Sequence, residues 1–140
     1  MQEFKLQKLF NWQTASDKLV KKYVADLYQT GTDAPVATNL FNNTDVAFTY
    51  EYLAAGIYGI SCSKPIFSGC GMGCPTGQKA QVTISNNFYW DASSGFIYNY
   101  SIFPAANNYM ILITFSTNTA TSDDILGAYL QNAIEVTIYP

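Results

Sequence analysis

The sequence predicts an all-β protein: an antiparallel β-sandwich or jelly-roll-like domain over residues 22–140, preceded by an N-terminal docking arm over residues 1–21. Three observations predict it. From residue 45 onward the chain is a succession of short β-rich runs broken by Gly, Asn, Pro and Ser, the pattern of several closely spaced antiparallel strands. Charged residues make up 12% of the chain, about half the usual ~25%, while 11 Asn, 13 Thr and 10 Ser supply the polar surface, which suits turns and wet strand faces. A length of 140 residues fits a single domain able to bury roughly two thirds of its extended surface.

The elements follow in order. Leu19, Val20, Tyr23, Val24, Leu27 and Tyr28 recur at helical spacing, yet "YVADLYQT" is also rich in strand-favouring residues, so periodicity leaves this stretch open between helix and strand. "YQTGTDAPVATNL" then bends the chain. Gly31 tolerates positive φ, Asp33 can bond to its own backbone two residues on, and Pro35 pushes Ala34 into an extended conformation, so the chain is expected to reverse there and cross over. "VAFTYEYL" alternates, and "GIYGISCS" follows after a two-residue gap, which reads as a hairpin. "KAQVTISNNFYW", "GFIYNYSIF", "NYMILITFST" and "AIEVTIYP" complete six strands after residue 45. The expected core is Val46, Phe48, Tyr50, Ile57, Val82, Ile84, Ile111, Ile113, Phe115, Val136 and Ile138.

Charge and composition exclude several functions. The formal charge is −3, there is no arginine, and five of the seven lysines precede residue 23, so the body of the chain has no basic footprint for nucleic acid. The apolar runs fall far short of ~18 residues, so no membrane insertion is expected, and "MQEFKLQKLF" lacks the features of a signal peptide. Reduced thiols are the expectation for a chain made without a signal peptide. Phe4, Leu6, Leu9, Phe10 and Trp12 give the first residues an apolar character that points to an arm docking onto another surface.

The residue sets that carry chemistry are sparse. Cys62, Cys70 and Cys74 have seven and three residues between them and no histidine to join them, too few ligands for zinc. Cys62 falls at a strand position and reads as a small buried apolar residue, while Cys70 and Cys74 can be free thiols or a disulfide. "SGCGMGCPTGQK" has the glycines of a phosphate cradle, but Gln78 separates Gly77 from Lys79 and no Ser or Thr follows. Cys70, Gly71, Met72, Gly73 and Cys74 read instead as a contact loop, where small residues let another backbone approach. Serine or cysteine nucleophiles lack a histidine base. Of the carboxylates Glu51, Asp91, Asp123, Asp124 and Glu135, the adjacent Asp123-Asp124 reads as a solvated turn or helix cap rather than a glycosidase pair. The asparagine-rich loops leave calcium open without specifying it. Phe88, Tyr89 and Trp90 form an aromatic cluster that fits a subunit interface better than a sugar platform. No catalytic residue and no cofactor is expected.

"YVADLYQTGTDAPVATNLFNNT" at residues 23–44, followed by "GIYGIS" and closed by "IEVTIYP", resembles small β-rich virion proteins of tailed bacteriophages and related prophages. These share a strand, a Q-[TS]-G-T-x-A-P-V-A-T turn, an E-N-T-like segment, a G-x-Y step and a closing Tyr-Pro. Gln29, Gly31, Thr32, Ala34, Pro35 and Thr38 match; "LFNNT" replaces the usual Leu-Glu-Asn-Thr, and the cysteine loop is foreign to the pattern. The resemblance implies a strand over residues 22–30. It also implies a non-enzymatic fibre, appendage or decoration module of head or tail, bound to another virion protein (capsid, portal or tail) and to copies of itself, a trimer by analogy with three-fold fibres. The competing expectation is a module that binds carbohydrate on the host cell surface.

Overall fold

A computed structural model of the chain describes residues 19–67, 79–84, 88–91, 95–116, 121, 123–126 and 133–139. The expected arm residues Phe4, Leu6, Leu9, Phe10 and Trp12 and the contact loop from Cys70 to Cys74 lie outside them. The described residues form nine strands: β1 (Lys21–Tyr28), β2 (Val36–Asn42), β3 (Phe48–Ala54), β4 (Ile57–Cys62), β5 (Lys79–Ile84), β6 (Phe88–Asp91), β7 (Phe96–Ala106), β8 (Tyr109–Ser116) and β9 (Ala133–Tyr139). They make two sheets, ordered β2-β1-β9-β5 and β3-β4-β8-β7-β6, with every pairing antiparallel. The sheets pack face to face around one apolar core, so the fold is the expected β-sandwich.

The ambiguous N-terminal stretch is strand. In β1, Tyr23, Ala25 and Leu27 are buried while Lys22, Asp26 and Tyr28 are exposed, a period of two that a helix cannot give. The reversal after β1 is closer than expected: the chain returns at once as β2, paired with β1 from Tyr28↔Val36 to Tyr23↔Asn42, and only then crosses to the other sheet. β2 escapes a pattern search because it is an edge strand whose side chains are almost all exposed, so no buried face marks it. The Ala55-Gly56 turn closes the β3–β4 hairpin, with Gly56 at φ 68°.

"KAQVTISNNFYW" is two strands in different sheets rather than one, β5 against β9 and β6 against β7. β5 ends at Ile84 and β6 begins at Phe88, and the sequence between them, Ser-Asn-Asn, is of turn-favouring types.

Of the expected core, Val46, Ile84, Val136 and Ile138 are buried, and Phe48, Tyr50 and Val82 are half-buried against it. Ile57, Ile111, Ile113 and Phe115 belong to the opposite face. Tyr58, Ile60 and Cys62 point inward from β4, and Met110, Leu112, Thr114 and Ser116 from β8. The error is one residue of register: "YMILITFS" is almost continuously apolar, so its sequence carries no alternation to say which face is wet. Ile66, Phe67, Ile125 and Leu126, all outside the strands or in an isolated bridge, seal the core.

The register of β8 has a direct test. Leu112→Ala is expected to cost about 3 kcal/mol in urea unfolding, because it empties a fully buried site, whereas Ile113→Asp should retain a cooperative transition.

Candidate functional site

The most ordered polar constellation among the described residues sits where β1 runs into the "QTGTDAP" turn. Gln29 follows β1, and burial of the last strand residues carries its side chain inward until it is 2% exposed. Its Nε2 donates to the carbonyls of Gly31 at 2.7 Å and Asp33 at 3.1 Å. Its Oε1 accepts from the Tyr58 hydroxyl at 2.7 Å and from the Asp124 backbone amide at 2.9 Å. Two donors and two lone pairs are the full capacity of a carboxamide, so this buried amide is satisfied. Its backbone N–H donates to the Leu126 carbonyl at 3.2 Å.

The turn is built around that amide. Asp33 N donates to Thr30 O at 3.1 Å, and of the two residues between them only Gly31 has positive φ (54°), the signature of a type II′ turn. Gly31 N donates to Asp124 Oδ1 at 2.7 Å. The turn is thus held by Gln29 and by Asp124 from across the chain, while the Asp33 backbone provides both of its contacts.

Asp123 and Asp124 do more than form a solvated turn. Asp123 Oδ1 accepts from Gly56 N at 2.7 Å and lies 3.3 Å from the Tyr58 hydroxyl, whose one proton is shared with the closer Gln29 Oε1, and Oδ2 accepts from the Tyr52 hydroxyl at 3.0 Å. Asp124 takes φ 60°, a left-handed conformation that aspartate tolerates better than most residues. The two carboxylates serve different strand ends and do not converge on a common point of attack. Glu51 and Glu135 lie on opposite outer faces of the sandwich, Glu135 bound to Lys22 at 3.0 Å. Among the described residues no group of three or more His, Cys, Asp and Glu is placed to hold a metal, and no helix is long and apolar enough to cross a membrane.

Tyrosine hydroxyls join the sheets at three places. Tyr58 on β4 reaches Gln29; Tyr23 on β1 meets Tyr50 on β3 at 3.0 Å; and Tyr100 on β7 donates to Ile84 O at 2.8 Å and accepts from Ile84 N at 3.2 Å on β5. Tyr23 also stacks on Phe48, with centroids 4.0 Å apart. Burial raises the pKa of Tyr50, Tyr58 and Tyr23 above the usual tyrosine range, in Tyr58 against the hydrogen bond from Thr114 and in Tyr23 against that from Tyr50. Burial likewise pushes the Cys62 thiol up to about 12, so this cysteine is the inert apolar residue that its position suggested.

The two outer faces differ. On the four-stranded sheet, Lys22, Asp26, Glu135 and Thr137 occupy the middle of the face, and Tyr28, Val36 and Phe41 are exposed along its β1–β2 edge. On the five-stranded sheet, Ile57, Ile111 and Ile113 lie in adjoining registers with Phe103 and Phe115. At the rim, Tyr109 lies across Gly59, where an added Cβ would come within 1.8 Å of its hydroxyl, and donates to Glu51 Oε1 at 2.5 Å. Burial first, then Glu51, pushes the Tyr109 hydroxyl up to about 12. Phe88, Tyr89 and Trp90 lie on β6, in register with Asn99, Tyr98 and Ile97; their side chains lie outside the described set. Sequence reasoning named Gln29 only as a residue of the shared turn, with no bonding role, and missed Tyr58 and Tyr109. For Gln29 the available signal was an amide placed between a strand's last residue and a glycine turn.

Gln29→Ala is expected to destabilise the fold by roughly 3 kcal/mol in urea, because it empties a buried site and removes the amide partner of the Gly31 and Asp33 carbonyls, the Tyr58 hydroxyl and the Asp124 N–H. Gln29→Glu should cost more, since it faces two carbonyls with an acceptor in place of a donor. Stability should also depend on alkali. Unfolded tyrosines lose their protons near 10 and the unfolded thiol near 9, while the folded groups hold theirs higher. The native state therefore binds more protons above those values, and stability present below about pH 9 falls as pH rises. Tyr50→Phe should reduce that slope by about 1.4 kcal/mol per pH unit above 10. Comparison of the chain with protein-family models, with curated proteins and with solved structures gave no match.

Proposed function

We propose that this chain is a non-enzymatic structural module of a bacteriophage virion, a fibre, appendage or decoration protein of head or tail. It assembles with copies of itself and is held to another virion protein through the apolar segment bearing Phe4, Leu6, Leu9, Phe10 and Trp12. The observation that carries this reading is the use made of the Q-T-G-T-D-A-P turn. The residues on which the likeness to virion proteins rests, Gln29 and Gly31 foremost, close one end of the sandwich through hydrogen bonds to Asp124 and Tyr58. They serve architecture, which is what a shared structural module would retain. The apolar outer face of the five-stranded sheet supports the same reading, because such a surface on a sandwich suits assembly.

Mass spectrometry of gradient-purified particles from a bacterium carrying this gene tests it. The chain is expected in multiple copies per particle, and its absence would overturn the reading. A chain lacking residues 1–18 should fold with an unchanged far-UV spectrum yet fail to join the particle; full incorporation would remove the arm from the proposal. If the chain is instead a carbohydrate-binding module, it should be retained on host-surface glycans and missing from the particle.

A further inference from the structure

Resting on the assembly reading, we propose that the outer face of the five-stranded sheet is a self-association surface, on which a second copy of this chain packs face to face about a two-fold axis. The contrast between the two outer faces is the starting point. Antiparallel sheets ordinarily turn one face to the core and a polar face to water. On the four-stranded sheet charge holds the centre, with Lys22 and Glu135 paired at 3.0 Å across the two middle strands and Asp26 beside them, while the exposed apolar residues Tyr28, Val36 and Phe41 lie along the β1–β2 edge. On the five-stranded sheet apolar residues hold the centre instead: Ile57, Ile111, Ile113 and Phe115 are half-buried, Ile97 is 38% and Phe103 42% exposed, and all six lie on one side of β4, β8 and β7.

Charge selects the occupant. Among the described residues of the five strands only Glu51 and Asp91 are charged, and Asp91, paired with Phe96, has the register of the side opposite Ile97. Glu51 lies on β3 at the rim, and its Oε1 already accepts the Tyr109 hydroxyl. A second copy turned about a two-fold axis therefore opposes no like charges over the apolar centre. Head-to-tail stacking would press that centre against Lys22, Asp26 and Glu135 of the other sheet, at a desolvation cost. The contact is thus isologous and closes at two copies.

Size and shape agree. Five strands at ~4.8 Å and about seven residues at ~3.3 Å give a footprint of ~550 Å², and side-chain relief brings the accessible area toward the ~800 Å² per partner of a standard interface. Two copies of one sheet share the same twist, so they can pack aligned as the two sheets of the sandwich do. Tyr109 lies over Gly59 and fills the gap in the row between Glu51 and Ile111. The two-fold contact takes the place of the three-fold assembly expected by analogy with fibres.

Sedimentation equilibrium of the full chain from about 1 to 100 µM tests the proposal. A dimer is expected, with Ile113→Asp and Ile111→Asp each weakening it at least 100-fold while the far-UV spectrum is kept. Thr137→Asp on the opposite face should leave it unchanged. If either aspartate variant fails to fold, Ile113→Thr should still weaken the dimer about tenfold. A wild-type monomer at 100 µM, a trimer, or a dimer indifferent to position 113 would each overturn the proposal. So would a monomer that dimerises only when residues 1–18 are deleted, since the chain's own segment would then cover the face. Presence in particles is scored separately, so a monomer found in virions removes this interface and leaves the virion reading intact.

Discussion

The carboxamide of Gln29 is the contact on which this architecture turns. A buried amide must have every donor and acceptor matched, and matching them here fixes four pieces of chain at once: the end of β1, the 30–33 turn, the 123–126 segment and β4 of the other sheet. Because an unmatched group costs about 1–3 kcal/mol, none of these pieces can drift without the others. The carboxylates of Asp123 and Asp124 extend the same network to Gly56, Tyr52 and Gly31, so the turns of both hairpins at this end are tied to one short segment.

The opposite end has its own polar closure. Asn42 Oδ1 accepts from the amide and hydroxyl of Thr44 at 2.9 and 2.6 Å, its Nδ2 donates to Val46 O at 3.0 Å, and the Thr44 hydroxyl accepts from Val46 N at 3.1 Å. Asn43 meets the backbone of Lys22, accepting at 2.7 Å and donating at 3.1 Å. The "LFNNT" departure from the phage pattern thus still makes a closed turn, with asparagines as its bonding groups. Between the two ends Tyr23, Tyr50, Tyr58 and Tyr100 bridge the sheets through their hydroxyls.

What the sequence disclosed follows from where alternation survives. In β1 and β9 the outward positions include Lys22, Asp26, Glu135 and Thr137, so strand and face can both be read once the helical alternative is set aside. In β8 and β4 the outward positions are apolar too, so strand is legible and face is not; Ile111 and Ile57 look like core residues because the surface they occupy is itself apolar. β2 shows the opposite limit, a strand with no buried pattern, specified only by its neighbour and its turn. The site was harder still. Gln29, Tyr58 and Asp123 are separated by 29 and 65 positions, and their meeting depends on how the sheets stack, which no local pattern encodes.

The strand order has a consequence for how the chain is made. The five-stranded sheet draws only on residues 48–116, whereas the four-stranded sheet places β9, the last strand, between β1 and β5. Until residue 139 has left the ribosome, β1 and β5 each lack their common neighbour, and the 123–126 segment has just arrived to meet Gln29. The nascent chain therefore carries a finished half-sandwich with its inner face uncovered. The closing step joins residues more than a hundred positions apart, the kind of long-range pairing whose loop-closure cost slows folding.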